Sequence, residues 1–143
     1  MKRDSKPEQV RDHMSLSPLT IGAEDSLQTA IDLLHKHNIR ELPVVEHGRL
    51  IGIVTDRDLR QVAPSYPVFR DQQEIRYHLQ NLKVAAAMTV DPLVVSPETS
   101  LVEAAKLLHT HRVGSLPVVE DEKLVGLISI TDLLRVFIEQ NEG

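Results

Sequence analysis

Shifting this sequence by 74 positions lays Val10–Val62 over Val84–Val136 without a gap, and that internal repeat limits the fold more than any local motif. Met14 meets Met88, Pro18 meets Pro92, Ser26-Leu27 meets Ser100-Leu101, and Ala30 meets Ala104. Leu33-Leu34-His35 falls on Leu107-Leu108-His109, and Leu42-Pro43-Val44-Val45-Glu46 on Leu116-Pro117-Val118-Val119-Glu120. Gly52 falls on Gly126, and Asp58-Leu59 on Asp132-Leu133. Two copies without a third argue against an open solenoid, which needs about three or more repeats to bury its faces. A copy of about fifty residues is near the lower limit for an independent core. The expected solution is two copies packed face to face as one folding unit.

Each copy carries the same order of periods. Pro18-Leu19-Thr20-Ile21 and Pro92-Leu93-Val94-Val95 are short extended runs led by proline, suited to a strand start. Leu27, Ala30, Ile31 and Leu34 fall at i, i+3, i+4 and i+7, and Leu101, Ala104, Ala105 and Leu108 repeat the stripe of an amphipathic helix. Ser26 and Ser100 are natural N-caps, and Ser100 with Glu103 has capping-box spacing. Two β-rich runs follow, joined by Glu46-His47-Gly48 in one copy and Glu120-Asp121-Glu122 in the other, and read as a hairpin. Helical spacing then returns through Leu59 and Val62, and through Leu133, Val136 and Phe137. The expected fold is α/β, two pseudo-symmetric βαββα repeats at 10–62 and 84–137. Between them, 63–83 reads as a linker. Ala63-Pro64-Ser65-Tyr66-Pro67 breaks the helix, and Asp71 to Leu82 carries a weak helical pattern in Ile75, Leu79 and Leu82.

Composition removes several function classes. The 143 residues include no cysteine, which excludes disulfide scaffolds, thiolate nucleophiles, Fe–S clusters and Cys-based zinc sites and fits a reducing compartment. Lys and Arg number 16 against 21 Asp and Glu, so no broad basic field is present to hold nucleic acid by its phosphates. Met1–Glu8 has charges but no apolar run behind it, and no window approaches about 18 consecutive apolar residues. Neither signal peptide nor membrane span is expected, and the chain reads as soluble and cytoplasmic. The catalytic patterns G-x-S-x-G, H-E-x-x-H, the Walker loop and G-x-G-x-x-G are missing, which points away from an enzyme. Seven histidines include His35-x-His37 and His109-x-His111, but i and i+2 on a helix point about 200° apart and cannot close on one metal ion.

The residues that can carry chemistry sit where the last strand of each copy meets its last helix. Gly52-Ile53-Val54-Thr55-Asp56-Arg57-Asp58 and Gly126-Leu127-Ile128-Ser129-Ile130-Thr131-Asp132 each place a hydroxyl three residues before a carboxylate. One reading is a capping box, with Thr55 or Ser129 capping the helix and Asp58 or Asp132 reaching back. The other uses the same geometry for a ligand. A carboxylate fixed at a helix start can accept both hydrogen bonds of a cis-diol, as an acidic residue does with a nucleotide ribose. Leu42-Pro43-Val44 then offers an apolar wall for a purine, with free backbone groups where proline interrupts the ladder. Both readings stand on spacing alone.

The doubled βαββα unit, its Leu-Pro-Val-Val strand, its Gly-x-x-Thr/Ser-x-x-Asp-Leu ending and its long linker resemble a tandem pair of CBS domains, a Bateman module. The segment from Asp56 to Ser65 resembles stand-alone CBS-pair proteins of the acetoin-utilisation regulatory type. The resemblance implies a non-catalytic sensor that binds an adenosine-containing ligand, AMP, ADP, ATP or S-adenosylmethionine, in clefts between the paired domains. It implies ribose contacts from Asp58 and Asp132, with Thr55 and Ser129 beside them. Thr20, Leu42, Pro43, Val44, Val94, Leu116, Pro117 and Val118 would enclose the base. Arg40 and Arg57 occupy the positions that approach phosphates, whereas the second copy has Gly114-Ser115 and Thr131 there, with Arg112 the nearest cation. No cofactor is implied, and Mg²⁺ only together with nucleotide phosphates. A homodimer stacked through helix faces is expected as well. The alternative is a dimerisation or partner-docking module with degenerate clefts.

Overall fold

The computed structural model describes residues 7–62 and 71–142. In chain order its elements are β1 (Ser15–Leu16), α1 (Leu27–His37), β2 (Glu41–Glu46), β3 (Arg49–Thr55), α2 (Asp56–Val62), α3 (Gln72–Gln80), β4 (Thr89–Val90), α4 (Leu101–His111), β5 (Ser115–Glu120), β6 (Lys123–Ser129) and α5 (Ile130–Glu142). The class is α/β, as the repeat pattern predicts. The proline-rich break at 63–67 lies outside the described residues.

The helices begin where their caps direct. The Ser26 hydroxyl accepts from the Thr29 amide at 3.1 Å, and the Ser100 hydroxyl from the Glu103 amide at 3.0 Å. Leu27, Ala30 and Leu34 of α1 are buried with Leu42, Val44 and Val54 of the hairpin in one core. Ala104 and Leu108 of α4 join Leu116, Val118 and Ile128 in the other. Each fully buried Leu, Ile or Val contributes about 1.5–3 kcal/mol relative to exposure. In the linker, Asp71 caps α3, and Leu79 carries that helix into the first core beside Ile75 and Leu82.

Both hairpins share one register. β2 pairs antiparallel with β3 from Glu41↔Thr55 to Glu46↔Arg49, with a bulge at Val44/Val45, and β5 pairs with β6 in the same way, with a bulge at Val118/Val119. The turns are two residues long, shorter than the three-residue turns expected from sequence. His47 and Gly48 have φ of 53° and 80°, and Asp121 and Glu122 have 51° and 67°, the left-handed pair of a type I′ turn whose twist suits the strands. The proline-led runs shrink to single parallel bridges, Ile21 to Val44 and Val95 to Val118.

The compact units are cut differently from the repeats. One is Leu19–Pro92, here the first unit; the other joins Met1–Pro18 to Leu93–Gly143, the second unit. Each unit therefore takes its leading strand from the other repeat. In the second unit β1 pairs with β6, Ser15 opposite Leu127 and Leu16 opposite Gly126. In the first unit β4 pairs with β3, Gly52 opposite Val90 and Ile53 opposite Thr89. Backbone bonds seal both exchanges: the Val10 amide donates to the Thr99 carbonyl at 2.8 Å, and the Val84 amide to the Asp25 carbonyl at 2.7 Å. Val10 and Val84 are fully buried, each in the core of its unit.

The exchange explains the repeated glycine. A Cβ on Gly126 would sit 2.8 Å from both the Met14 sulfur and the Ser15 carbonyl oxygen; one on Gly52 would sit 2.9 Å from the Met88 sulfur and the Thr89 carbonyl oxygen. The methionine and glycine that recur at the same offset are thus contact partners across the exchange.

Candidate functional site

The hydroxyl–carboxylate pairs form capping boxes in both units. In the first, the Asp58 amide donates to Thr55 Oγ1 at 3.0 Å and the Thr55 amide donates to Asp58 Oδ2 at 2.9 Å. In the second, the Asp132 amide donates to Ser129 Oγ at 3.2 Å and the Ser129 amide to Asp132 Oδ2 at 2.8 Å. The Ser129 hydroxyl also donates to Asp132 Oδ2 at 3.0 Å. Each box uses one carboxylate oxygen and leaves Oδ1 outside it. Capping and ligand binding are therefore compatible: the box locks χ1 and χ2 of the aspartate, and the second oxygen is presented with its direction already set.

The two remaining oxygens differ in surroundings. Asp58 is partly exposed. Asp132 is 5% exposed, and its Oδ1 lies 3.4 Å from an Arg135 guanidinium nitrogen. A carboxylate this enclosed needs hydrogen-bond partners for its charge, which two bonds to Oδ2 and the arginine at Oδ1 provide.

The structure gathers the other expected residues of the first unit around that junction. Glu41 is the register partner of Thr55, and the Arg40 carbonyl accepts from the Asp56 amide at 2.8 Å, so Arg40 is held against the start of α2. Arg57 stands on the same helical turn with its side chain exposed. Thr20 immediately precedes Ile21, whose amide donates to the Pro43 carbonyl at 3.0 Å. Extended by the same parallel pattern, the bridge would direct an amide of residue 43 at the Leu19 carbonyl. Pro43 has no such amide, so that acceptor is left out of the ladder, and Pro117 does the same for Leu93 in the second unit. There Val94 is 40% exposed, Thr131 is exposed and Ser129 partly buried.

Leu42 and Val44, and Leu116 and Val118, do not offer their side chains as a wall, because all four lie in the cores at 1% exposure or less. Strand alternation turns Pro43 and Pro117 to the opposite face, the face of Thr55 and Ser129, where both side chains are fully buried as well. The aliphatic pairs can serve a ligand only through backbone.

Ser115, named in sequence only as part of the uncharged Gly114-Ser115 step, was not among the candidate ligand contacts. It pairs with Ser129 in the hairpin, is 8% exposed, and its hydroxyl is buried without a hydrogen-bond partner. The signal available was its position: the offset places it on Glu41, a polar residue at the head of an apolar strand. Arg112 occupies the left-handed C-cap of α4, with φ of 54°. A separate open groove of ≈ 150 Å³ lies between α1 and α2, lined by Ile31, Leu34, His35, Asp56, Leu59 and Arg60, and holds none of the expected site residues. Among the described residues, no helix is long and apolar enough to cross a membrane.

Comparison with known proteins places this geometry. The CBS domain family matches residues 10–65 and 84–139. A CBS domain-containing protein of Dictyostelium discoideum is 38% identical over 133 residues, covering 91% of each chain. An inosine-5′-monophosphate dehydrogenase of Korarchaeum cryptofilum is 35% identical over 118 residues, but these are only 21% of that enzyme. Among solved structures, an acetoin utilization protein (AcuB) of Vibrio cholerae superposes with a TM-score of 0.79 at 30% identity, over 96% of this chain and 95% of that one. CBSX2 in complex with AMP gives 0.80 at 28% over 94% and 99%. The CBS domain pair of MJ0100 in complex with 5′-methylthioadenosine and S-adenosyl-L-methionine gives 0.76 at 25% over 95% and 100%. Matched in both repeats and along nearly its whole length, the chain belongs to the CBS domain family, as a tandem CBS pair.

Proposed function

We propose that this chain is a non-catalytic cytoplasmic sensor of an adenosine-containing ligand, AMP, ADP, ATP or S-adenosylmethionine, working as a homodimer. The observation that carries this reading is the pair of boxed aspartates, each keeping one oxygen outside its box at a strand-to-helix junction. That oxygen accepts a ribose hydroxyl; Thr55 or Ser129 lies beside it. The freed Leu19 and Leu93 carbonyls supply acceptors for an adenine amino group. Support comes from two structural relatives, one in complex with AMP and one in complex with 5′-methylthioadenosine and S-adenosyl-L-methionine.

Charge separates the halves. Arg40 and Arg57 flank the first junction, whereas Gly114 and Thr131 take their places at the second. A phosphate needs those cations because Asp58 and Asp132, at the third residue of their helices, partly cancel the helix-terminal field. Phosphorylated ligands therefore belong to the first half, with a guanidinium able to make a bidentate contact.

Thermal denaturation of ligand-free protein tests the reading against a panel of AMP, ADP, ATP, S-adenosylmethionine and NAD. A ligand that binds only the native state stabilises it by about 2.7 kcal/mol at a hundredfold excess over Kd. The midpoint is expected to rise by several degrees, at roughly 2–4 °C per kcal/mol. If no panel member moves it at millimolar concentration, the chain is instead a docking module.

A further inference from the structure

The two boxed aspartates differ in what stands one helical turn beyond them. On α5 the Arg135 guanidinium reaches back three residues to Asp132 Oδ1, at 3.4 Å. The repeat offset puts Gln61 at the same position after Asp58, and a neutral amide cannot form that ion pair. On α2 an arginine of the same turn, Arg60, lies 3.6 Å from Asp56 instead. Ile130 and Leu134 take the places of Asp56 and Arg60 on α5. Each last helix therefore pairs an arginine of its second turn with an aspartate of its first, but only the second unit directs the pair at the boxed aspartate.

Burial follows the pairing. Asp132 is 5% exposed, whereas Asp58, in the same box on the same turn, is partly exposed. The Arg135 side chain itself is 56% exposed, so it can leave Oδ1 by a change of rotamer, without movement of the helix. Behind it the junction keeps an unmet polar group. Ser115 is the register partner of Ser129, on the same face of the hairpin, and its buried hydroxyl has no hydrogen-bond partner. A pair that served only to neutralise Asp132 gives no reason for that orphan; a ligand group entering the junction would satisfy it.

We infer that Arg135 is a specificity-determining latch: it occupies Asp132 Oδ1, and a cis-diol binds the second junction only when the guanidinium swings away. The inference rests on the ribose assignment of the proposed function and adds a competitor for the same oxygen. The apparent affinity of a site is its intrinsic affinity reduced by the fraction of time it stands open. For an ion pair with one buried and one solvated member, that reduction is about three- to tenfold. This inequality is separate from the absence of cations at positions 114 and 131. Those positions concern phosphate; the latch acts on any ribose, charged or not.

Calorimetry with adenosine, which has the cis-diol and no charge, tests this on the full chain carrying Asp58→Asn to weaken the first half. Adding Arg135→Gln, the residue type of the first unit, should tighten binding at the second junction about three- to tenfold. Adding Asp132→Asn as well should abolish that gain. In the converse exchange, Gln61→Arg in the otherwise unaltered chain should weaken adenosine at the first junction by a similar factor; position 61 is exposed, so this variant keeps its fold. Should Arg135→Gln leave affinity unchanged or lower it while adenosine still binds the wild type, the ribose assignment stands and the latch is overturned. A gain that persists with Asp132→Asn also overturns the latch, since the arginine then acts on something other than Oδ1. If neither adenosine nor AMP binds any of these chains, the ribose assignment fails and the latch fails with it.

Discussion

Asp58→Asn is expected to lower affinity for AMP at least about tenfold while the protein stays folded. An asparagine can keep its amide oxygen on the Thr55 amide, preserving the bond seen at 2.9 Å, but then turns its NH₂ group to the place where Oδ1 stood. The ribose meets a neutral donor where it had a charged acceptor. Hydrogen bonds to charged groups are worth about 1.5–3 kcal/mol, and each 1.4 kcal/mol is a factor of ten in affinity. If Asp58 only caps α2, the substitution leaves binding unchanged. Asp132→Asn should affect AMP less, because Gly114 and Thr131 stand where the first half has Arg40 and Arg57, and the guanidinium that is nearby, Arg135, is already paired with Asp132 Oδ1. Calorimetry on both variants, with thermal melts alongside to correct for the lost helix-terminal charge, separates the outcomes.

The second large effect concerns stability. Gly126→Ala is expected to destabilise the chain by about 1–3 kcal/mol, the usual range for forcing a methyl group into a filled site, lowering the midpoint by roughly 2–4 °C per kcal/mol. The reason is that one of the two atoms in the way is the Ser15 carbonyl, part of a paired strand that cannot swing aside. Adding Met14→Ala should recover only part of the loss, since it removes the sulfur and leaves the carbonyl. Gly52→Ala, facing Met88 and the Thr89 carbonyl at 2.9 Å, should behave alike. Gly48→Ala, with nothing within 4 Å of the new methyl, should cost only the strain of its φ of 80°. Equal melting of the Gly126 and Gly48 variants would remove close packing as the reason for the repeated glycine.

The elements visible in sequence were those with a period or a cap. The stripe Leu27, Ala30, Leu34 and the cap at Ser26 identify α1, and the alternation after Leu42 identifies a hairpin. The strands β1 and β4 were not visible, because two residues carry no period. Their partners were hidden for a deeper reason. A repeat announces that Met14 and Met88 play one role, but not that each packs on the glycine of the other copy. Pro18 and Pro92 suggested strand starts; the chain instead turns through Ser17 and Asp91, with φ of 50° and 49°, and only Ile21 and Val95 bridge.

At the site, spacing identified the Thr55–Asp58 and Ser129–Asp132 pairs but set capping and binding against each other. Two carboxylate oxygens allow both. Strand alternation, unresolved by a run as apolar as Leu42-Pro43-Val44, sends the Leu42 and Val44 side chains into the core and leaves the backbone of this run as what a ligand could meet. That the Ser115 hydroxyl has no hydrogen-bond partner is a property of packing; the sequence marks only its position, a polar residue at the head of an apolar strand.

A crystal structure of the full chain grown with AMP tests the central claim most directly. The account predicts a ribose hydroxyl within about 2.5–3.0 Å of Asp58 Oδ1, with Oδ2 still on the Thr55 amide and the phosphate turned toward Arg40 and Arg57. Nucleotide bound with its ribose away from both Asp58 and Asp132, or crystals at saturating AMP with nothing at either junction, would contradict it.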